Sequence, residues 1–238
     1  CAPEATPAPT LPPLPSSTPT QTPTATQVWF PPTPTNTALP TIITTPTSDP
    51  KPGIGDILID NLFDDAETWQ TFESESASAA VEDGTFTLVS SQNAQYLTSF
   101  QSGEVLRNGY IDVDIRVNLC GEQDEFGLII RAQPDTDQFR LGMSCDGQIW
   151  VDRKYKGIIQ NIVPKMPYGL VPSTTPDTVT LGVWMEGGTI RFFLDGFYIF
   201  ELYENIFFTG GLGVYIRSME GSNVSVSFSD LNIYETNP

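Results

Sequence analysis

Two tryptophans, two arginines and two carboxylates recur at alternating positions of short apolar runs. Arg131 ends the run that begins at Phe126, Arg140 follows Phe139, Trp150 and Asp152 flank Val151, and Trp184 and Glu186 flank Met185. An indole can stack on the apolar face of a sugar ring, while guanidinium and carboxylate groups hydrogen-bond hydroxyls in pairs. Gathered on one face, these six side chains are the expected ligand-binding set of a groove for carbohydrate. Hydrolytic chemistry has less to draw on. The 238 residues contain no histidine. That excludes Ser-His-Asp and Cys-His nucleophile pairs, histidine-ligated zinc and the usual general base near neutral pH. A hydrolase made from this chain would use two carboxylates, about 5 to 5.5 Å apart for retention or roughly 6.5 to 9.5 Å for inversion.

Positioning such a set requires strands. From residue 55 onward the pattern has period two, with turn residues every eight to twelve positions, as in an antiparallel sandwich. In 109–119, Ile111, Val113, Ile115, Val117 and Leu119 alternate with Asp112, Asp114, Arg116 and Asn118, so one face is dry and the other wet. Thirteen strands are expected: 57–60, 77–82, 85–90, 95–100, 109–119, 125–132, 138–145, 148–155, 178–186, 189–195, 197–203, 211–217 and 223–234. Asp83-Gly84, Asp146-Gly147, Gly187-Gly188 and Asp195-Gly196 supply the turns. If the aliphatic members face inward, the alternation turns Arg131, Arg140, Trp150, Asp152, Trp184 and Glu186 outward, provided that no bulge intervenes. The Ile158–Thr175 connection, with Pro164, Pro167 and Pro172, is the natural loop to cover outward tryptophans.

The first fifty-two residues are a different material. They hold 15 of the 21 prolines and 14 threonines, and only Glu4 and Asp49 are charged in the first fifty. Proline locks φ and removes donors, so residues 1–52 are expected as an extended tether, ahead of a sandwich domain over 53–238. At about 3.1 Å per residue, full extension would reach roughly 150 Å. Val28-Trp29-Phe30 is its one apolar knot.

The chain starts at Cys1 before this Pro/Thr-rich run, a layout that resembles mature bacterial surface lipoproteins. The resemblance implies lipidation at Cys1, a place on the extracellular face of the bacterial membrane, and attachment through the N-terminal lipid only. Outside the cytoplasm, Cys120 and Cys145, 25 positions apart, form a disulfide more often than they stay as two buried thiols. With 11 Lys and Arg against 29 Asp and Glu, the net charge is −18. Nucleic acid, which needs clustered cations, is therefore not an expected partner.

Several segments carry a second resemblance. Ile59 to Asp65 with Trp69, Phe126-Gly127-Leu128-Ile129-Ile130-Arg131, Phe139-Arg140-Leu141, Ile190 to Gly196, Gly210 to Tyr215 and Val226 to Tyr234 look like the concanavalin A-like lectin/glucanase superfamily, and within it like laminin-G-like and 3-keto-disaccharide-hydrolase-like domains. The resemblance spans roughly 57–235 and implies an all-β, antiparallel two-sheet jelly-roll sandwich. Laminarinase-type members carry Glu-x-Asp-x-x-Glu on one strand. Here the run is Glu122-Gln123-Asp124-Glu125-Phe126-Gly127, with Gly127 where the second catalytic Glu would stand. Related sandwiches often hold a structural calcium, for which Asp60, Asp64 and Asp65 are the candidate ligands, with Asp135 and Asp137 further along; no other cofactor is expected.

Three readings follow from the sequence. The favoured one is a non-catalytic module on a tether that binds an extracellular glycan. The others are a structural subunit of a surface assembly with an envelope protein as partner, and a carboxylate-dependent glycan- or keto-disaccharide-cleaving hydrolase.

Overall fold

Ile111, Val113, Ile115 and Val117 are all fully buried and Arg116 on the opposite face is exposed, while Leu119, expected with the buried four, is 49% exposed because it ends the strand. This alternation recurs through the chain and gives a sandwich of two antiparallel sheets. The structure, a computed structural model, describes residues 53–91, 95–103, 105–133 and 137–236. Cys1, the tether over 1–52 and Val28-Trp29-Phe30 lie outside the described residues, as does Asp135.

The strands run in chain order as β1 (Ile54–Ile59), β2 (Phe72–Glu73), β3 (Ala77–Glu82), β4 (Thr85–Ser91), β5 (Tyr96–Phe100), β6 (Gly109–Leu119), β7 (Glu125–Ala132), β8 (Gln138–Ser144), β9 (Gln148–Tyr155), β10 (Ile158–Pro167), β11 (Asp177–Glu186), β12 (Thr189–Leu194), β13 (Phe197–Tyr203), β14 (Gly211–Arg217) and β15 (Asn223–Thr236). One sheet has the order β13-β12-β11-β6-β15-β4-β3-β2, with β1 also on β15; the other has the order β10-β9-β8-β7-β14-β5. All thirteen expected strands are present. The two additions are β2 and β10.

The second addition corrects the expectation of a loop over 158–175. Lys156 and Gly157 have φ of 50° and 78°, the left-handed pair of a tight hairpin turn, and they return the chain as a tenth strand along β9. Pro164 and Pro167 are tolerated because β10 is an edge strand and its register slips on either side of Val163.

Between the sheets lies one apolar core that includes Phe126, Leu128, Ile130, Phe139, Leu141, Ile149, Val151, Leu181, Val183, Phe192, Val214 and Phe228. Phe63, Trp69 and Phe86 pack together within the same core, with ring centroids 4.8 to 5.8 Å apart, and the Trp69 indole N–H donates to the Leu62 carbonyl. Cys120 and Cys145 form a disulfide. Since Cys120 follows β6 and Cys145 follows β8, the bond staples one sheet to the other.

Candidate functional site

The outer face of the six-stranded sheet carries a groove of about 650 Å³. Every strand of that sheet contributes to it: Tyr96 from β5, Glu125 from β7, Gln138 and Arg140 from β8, Trp150, Asp152 and Lys154 from β9, Ile159, Asn161 and Lys165 from β10, and Arg217 from β14. With neighbouring strands about 4.8 Å apart, the groove crosses roughly 24 Å of sheet. It is long enough for an oligomer.

Register explains its floor. Tyr215, Gly127, Gly142 and Trp150 lie directly opposite one another along β14, β7, β8 and β9. A Cβ on Gly142 would run into the Trp150 ring and the Tyr215 hydroxyl, and one on Gly127 would run into the Leu141 carbonyl. The two glycines thus make a shallow trough into which two large rings lie down. Both rings are 2% exposed although they are on the outer face. Burial raises the Tyr215 phenol well above its ordinary pKa, so it meets the groove as a neutral hydroxyl.

Polar groups are arranged above this floor. The Trp150 indole N–H donates to Asp152 Oδ2 at 3.1 Å, and the Asn161 amide donates to Asp152 Oδ1 at 3.0 Å. Lys165 Nζ lies 4.1 Å from the Trp150 ring centroid and 2.8 Å from Glu125 Oε1. Arg217 approaches Glu125 Oε2 at 3.6 Å. The Arg140 guanidinium lies 5.3 Å over the Tyr96 ring, and Arg140 Nε is buried with no hydrogen-bond partner. Tyr96, 41% exposed, is the aromatic ring that the groove offers to solvent.

The six residues expected on one face are divided by the fold. Arg140, Trp150 and Asp152 are in this groove, but Lys165 covers the indole that was expected to stack. Trp184 and Glu186 are on β11, in the other sheet. Trp184 is 4% exposed and packs with Tyr110, Phe193 and Tyr234 in a separate apolar cluster, with Arg191 over its ring. Glu186 accepts hydrogen bonds from Asn108 and Thr236, a tie between strand ends. Arg131 departs for another reason. Its φ is 50°, and the pairing of β7 with β14 slips between Gly211 and Gly213, so a bulge re-aims the side chain. Its guanidinium, 1% exposed, donates to the carbonyls of Gly187 and Phe207. Burial lowers its pKa to about 10, against the pull of Glu204.

Sequence reasoning missed Tyr96, Glu125, Lys154, Asn161, Lys165 and Arg217 as groove residues. Tyr96 was legible in principle, because it alternates with Thr98 and Phe100 against Leu97 in an expected strand; Asn161 and Lys165 belonged to the segment read as loop. Asp124 of the acidic run is fully buried and accepts from the backbone N–H groups of Gly121 and Met219. Its work is to tie loops together. Among the described residues, no three of His, Cys, Asp and Glu group so as to hold a metal ion, Asp60, Asp64 and Asp65 included; Asp64 accepts from the Asn61 amide instead. A second cleft of about 400 Å³, at the Phe100 end of β5, is lined by Gln70, Gln101, Gln133 and neighbours with no titratable side chain.

No family model matches this sequence, and no curated protein does. Solved structures do match in fold. The carbohydrate-binding module CBM66 from Bacillus subtilis superposes with a TM-score of 0.53 at 12% identity, over 70% of this chain and 95% of that one. A galectin-like-fold protein of unknown function from Bacillus subtilis gives 0.58 at 12%, over 76% and 97%. The catalytic domain of an endo-1,3-beta-glucanase (laminarinase) from Thermotoga petrophila gives 0.56 at 11%, over 78% and 100%. The chain shares with these structures a sandwich of two antiparallel sheets. At these identities fold is all that the likeness shows, because one fold hosts both binding and catalysis.

Proposed function

We propose that the domain is a non-catalytic glycan-binding module whose site is the groove across the six-stranded sheet. The observation that carries this reading is the groove itself, in which every strand contributes and an exposed aromatic ring lies among donors and acceptors. Folds of this kind include a carbohydrate-binding module and a glucanase among their solved members, which supports a sugar as the ligand class. Catalysis is disfavoured by the groove's two carboxylates. All four of their oxygens already face protein donors or cations, whereas a glycosidic acid must present a proton to the leaving oxygen. Gly127 has no room for a further carboxylate beside them.

A glycan array followed by titration calorimetry tests the reading. Binding is expected to fall at least tenfold in Tyr96→Ala, with the melting temperature little changed and no reducing ends released from the bound glycan. An array with no hit refutes it, and so does binding indifferent to Tyr96→Ala. Display on the extracellular face of a bacterial membrane through a lipid on Cys1 is the second half of the proposal. The Pro/Thr-rich run and the disulfide, a bond that persists in oxidising compartments, support it. Palmitate labelling in a bacterial host should be lost in Cys1→Ala; equal labelling of both proteins would reject it.

A further inference from the structure

Cations are scarce in this chain, 11 Lys and Arg against 29 Asp and Glu. Four of them, Arg140, Lys154, Lys165 and Arg217, line this one groove, where they meet two carboxylates, Glu125 and Asp152. The lining therefore stands at +2, four minus two, on a chain of net charge −18. Both carboxylates are closed off: Glu125 faces Lys165 and Arg217, and Asp152 accepts from Trp150 and Asn161. What the groove presents to a ligand is thus dominated by donors. Arg140 is held in the groove wall with its guanidinium over the Tyr96 ring, beside the one aromatic ring that the groove exposes. Charge-assisted hydrogen bonds from such groups to an anionic oxygen are the strong kind.

Resting on the glycan-binding reading above, we infer that the groove selects glycan chains that carry anionic groups, carboxylate or sulfate, over neutral ones. A neutral sugar would meet these donors with hydroxyls alone. An acidic one gains charge pairing at the same contacts, and a groove of roughly 24 Å admits several successive residues of the chain. The acidic remainder of the protein does not overrule this. At physiological ionic strength charges are screened beyond about 8 Å, so the cations lining the groove set the local field. Single-stranded nucleic acid fits less well. It needs successive bare rings for its bases, but Trp150 and Tyr215 are covered and only Tyr96 is open.

The test is calorimetry on the full chain at 50 and 500 mM NaCl, with four probes: oligogalacturonate, sulfated dextran oligosaccharides, laminarin oligosaccharides and oligothymidylate. At least one acidic oligosaccharide should bind tenfold or more tighter than laminarin oligosaccharides and weaken about tenfold across the salt range. The tighter of the two names the anionic group. Arg140→Gln and the Lys154→Gln/Arg217→Gln pair should each weaken that binding about tenfold. Arg116→Gln removes the same charge from the other sheet and should leave it unchanged. Laminarin oligosaccharides bound as tightly as the acidic ones, without salt dependence, would overturn this inference and leave the glycan reading standing. Binding of none of the three saccharides would overturn both. Oligothymidylate bound as tightly as the acidic sugars would make the groove a general polyanion site and reject glycan selectivity.

Discussion

Opening the Cys120–Cys145 disulfide should destabilise the domain by about 3.5 kcal/mol. The bond joins residues 25 apart in sequence, and closing a loop of that length in the unfolded chain removes about 11.7 cal/mol/K of entropy, which is roughly 3.5 kcal/mol at 298 K. For a domain of this size each kcal/mol shifts the melting temperature by about 2 to 4 °C, so the bond should be worth roughly 7 to 14 °C. The structure adds a reason to expect the full effect. The bond runs from the end of β6 to the end of β8, strands of different sheets with no hydrogen bonds between them, so no ladder restores the lost closure. The assay is thermal unfolding followed by circular dichroism, for the oxidised protein, the reduced protein and the Cys120→Ala/Cys145→Ala variant, with urea titrations to give the free energy. Reduction isolates the cross-link, while the double variant also loses the packing of Cys145, 7% exposed. The variant should therefore be the less stable of the two. A loss below about 1 kcal/mol on reduction, with an unchanged urea slope, would refute the reasoning, because the loop would then be closed already in the unfolded ensemble.

Two further outcomes follow from the same packing. Trp184→Ala should cost about 3 to 5 kcal/mol in urea unfolding, because the indole packs with Tyr110 and Phe193, and should leave glycan affinity within twofold of the parent; a binding defect in a fully folded variant would return Trp184 to the ligand site. Burial raises the phenols of Tyr110 and Tyr215. With folded values above the unfolded value near 10, the stability they contribute is present below pH 10 and lost as pH rises above it, at up to about 1.4 kcal/mol per pH unit for each. Urea titrations from pH 8 to 11 should show this decline, and Tyr215→Phe should flatten it; an identical slope in the variant would exclude Tyr215 as a source.

The thirteen strands were legible because Val, Ile, Leu and Phe at every second position leave only one face to bury, as in 109–119. The hairpin turns were legible for a similar reason: Asp83-Gly84 and Asp195-Gly196 carry the positive φ that their residue types advertise. β10 was not, because its turn is Lys156-Gly157, a pair with less intrinsic preference for that geometry, and its two prolines read as loop. The candidate site divided along the same line. Alternation put Trp150, Arg140 and Asp152 on the outer face, where they are, but it carries no information on which sheet a strand joins. Trp184 and Trp150 therefore shared a phase without sharing a surface. Nor does alternation equate outward with exposed. Trp150 lies down because Gly142 is its neighbour across the ladder, and that pairing is set by register between strands. Arg131 shows the remaining failure, since one bulge resets the phase for the residue that follows.

The prolines of β10 carry a consequence for crowding. A strand that lacks N–H donors at Pro164 and Pro167 is a poor template for another chain's strand, so many copies packed side by side on a surface would resist zipping into fibrils along that margin. The same strand supplies Ile159, Asn161 and Lys165 to the groove. With a neighbour on one flank alone, it can exchange those three side chains while the remaining fourteen strands keep their partners, which makes it the cheapest place for ligand preference to drift between related sequences.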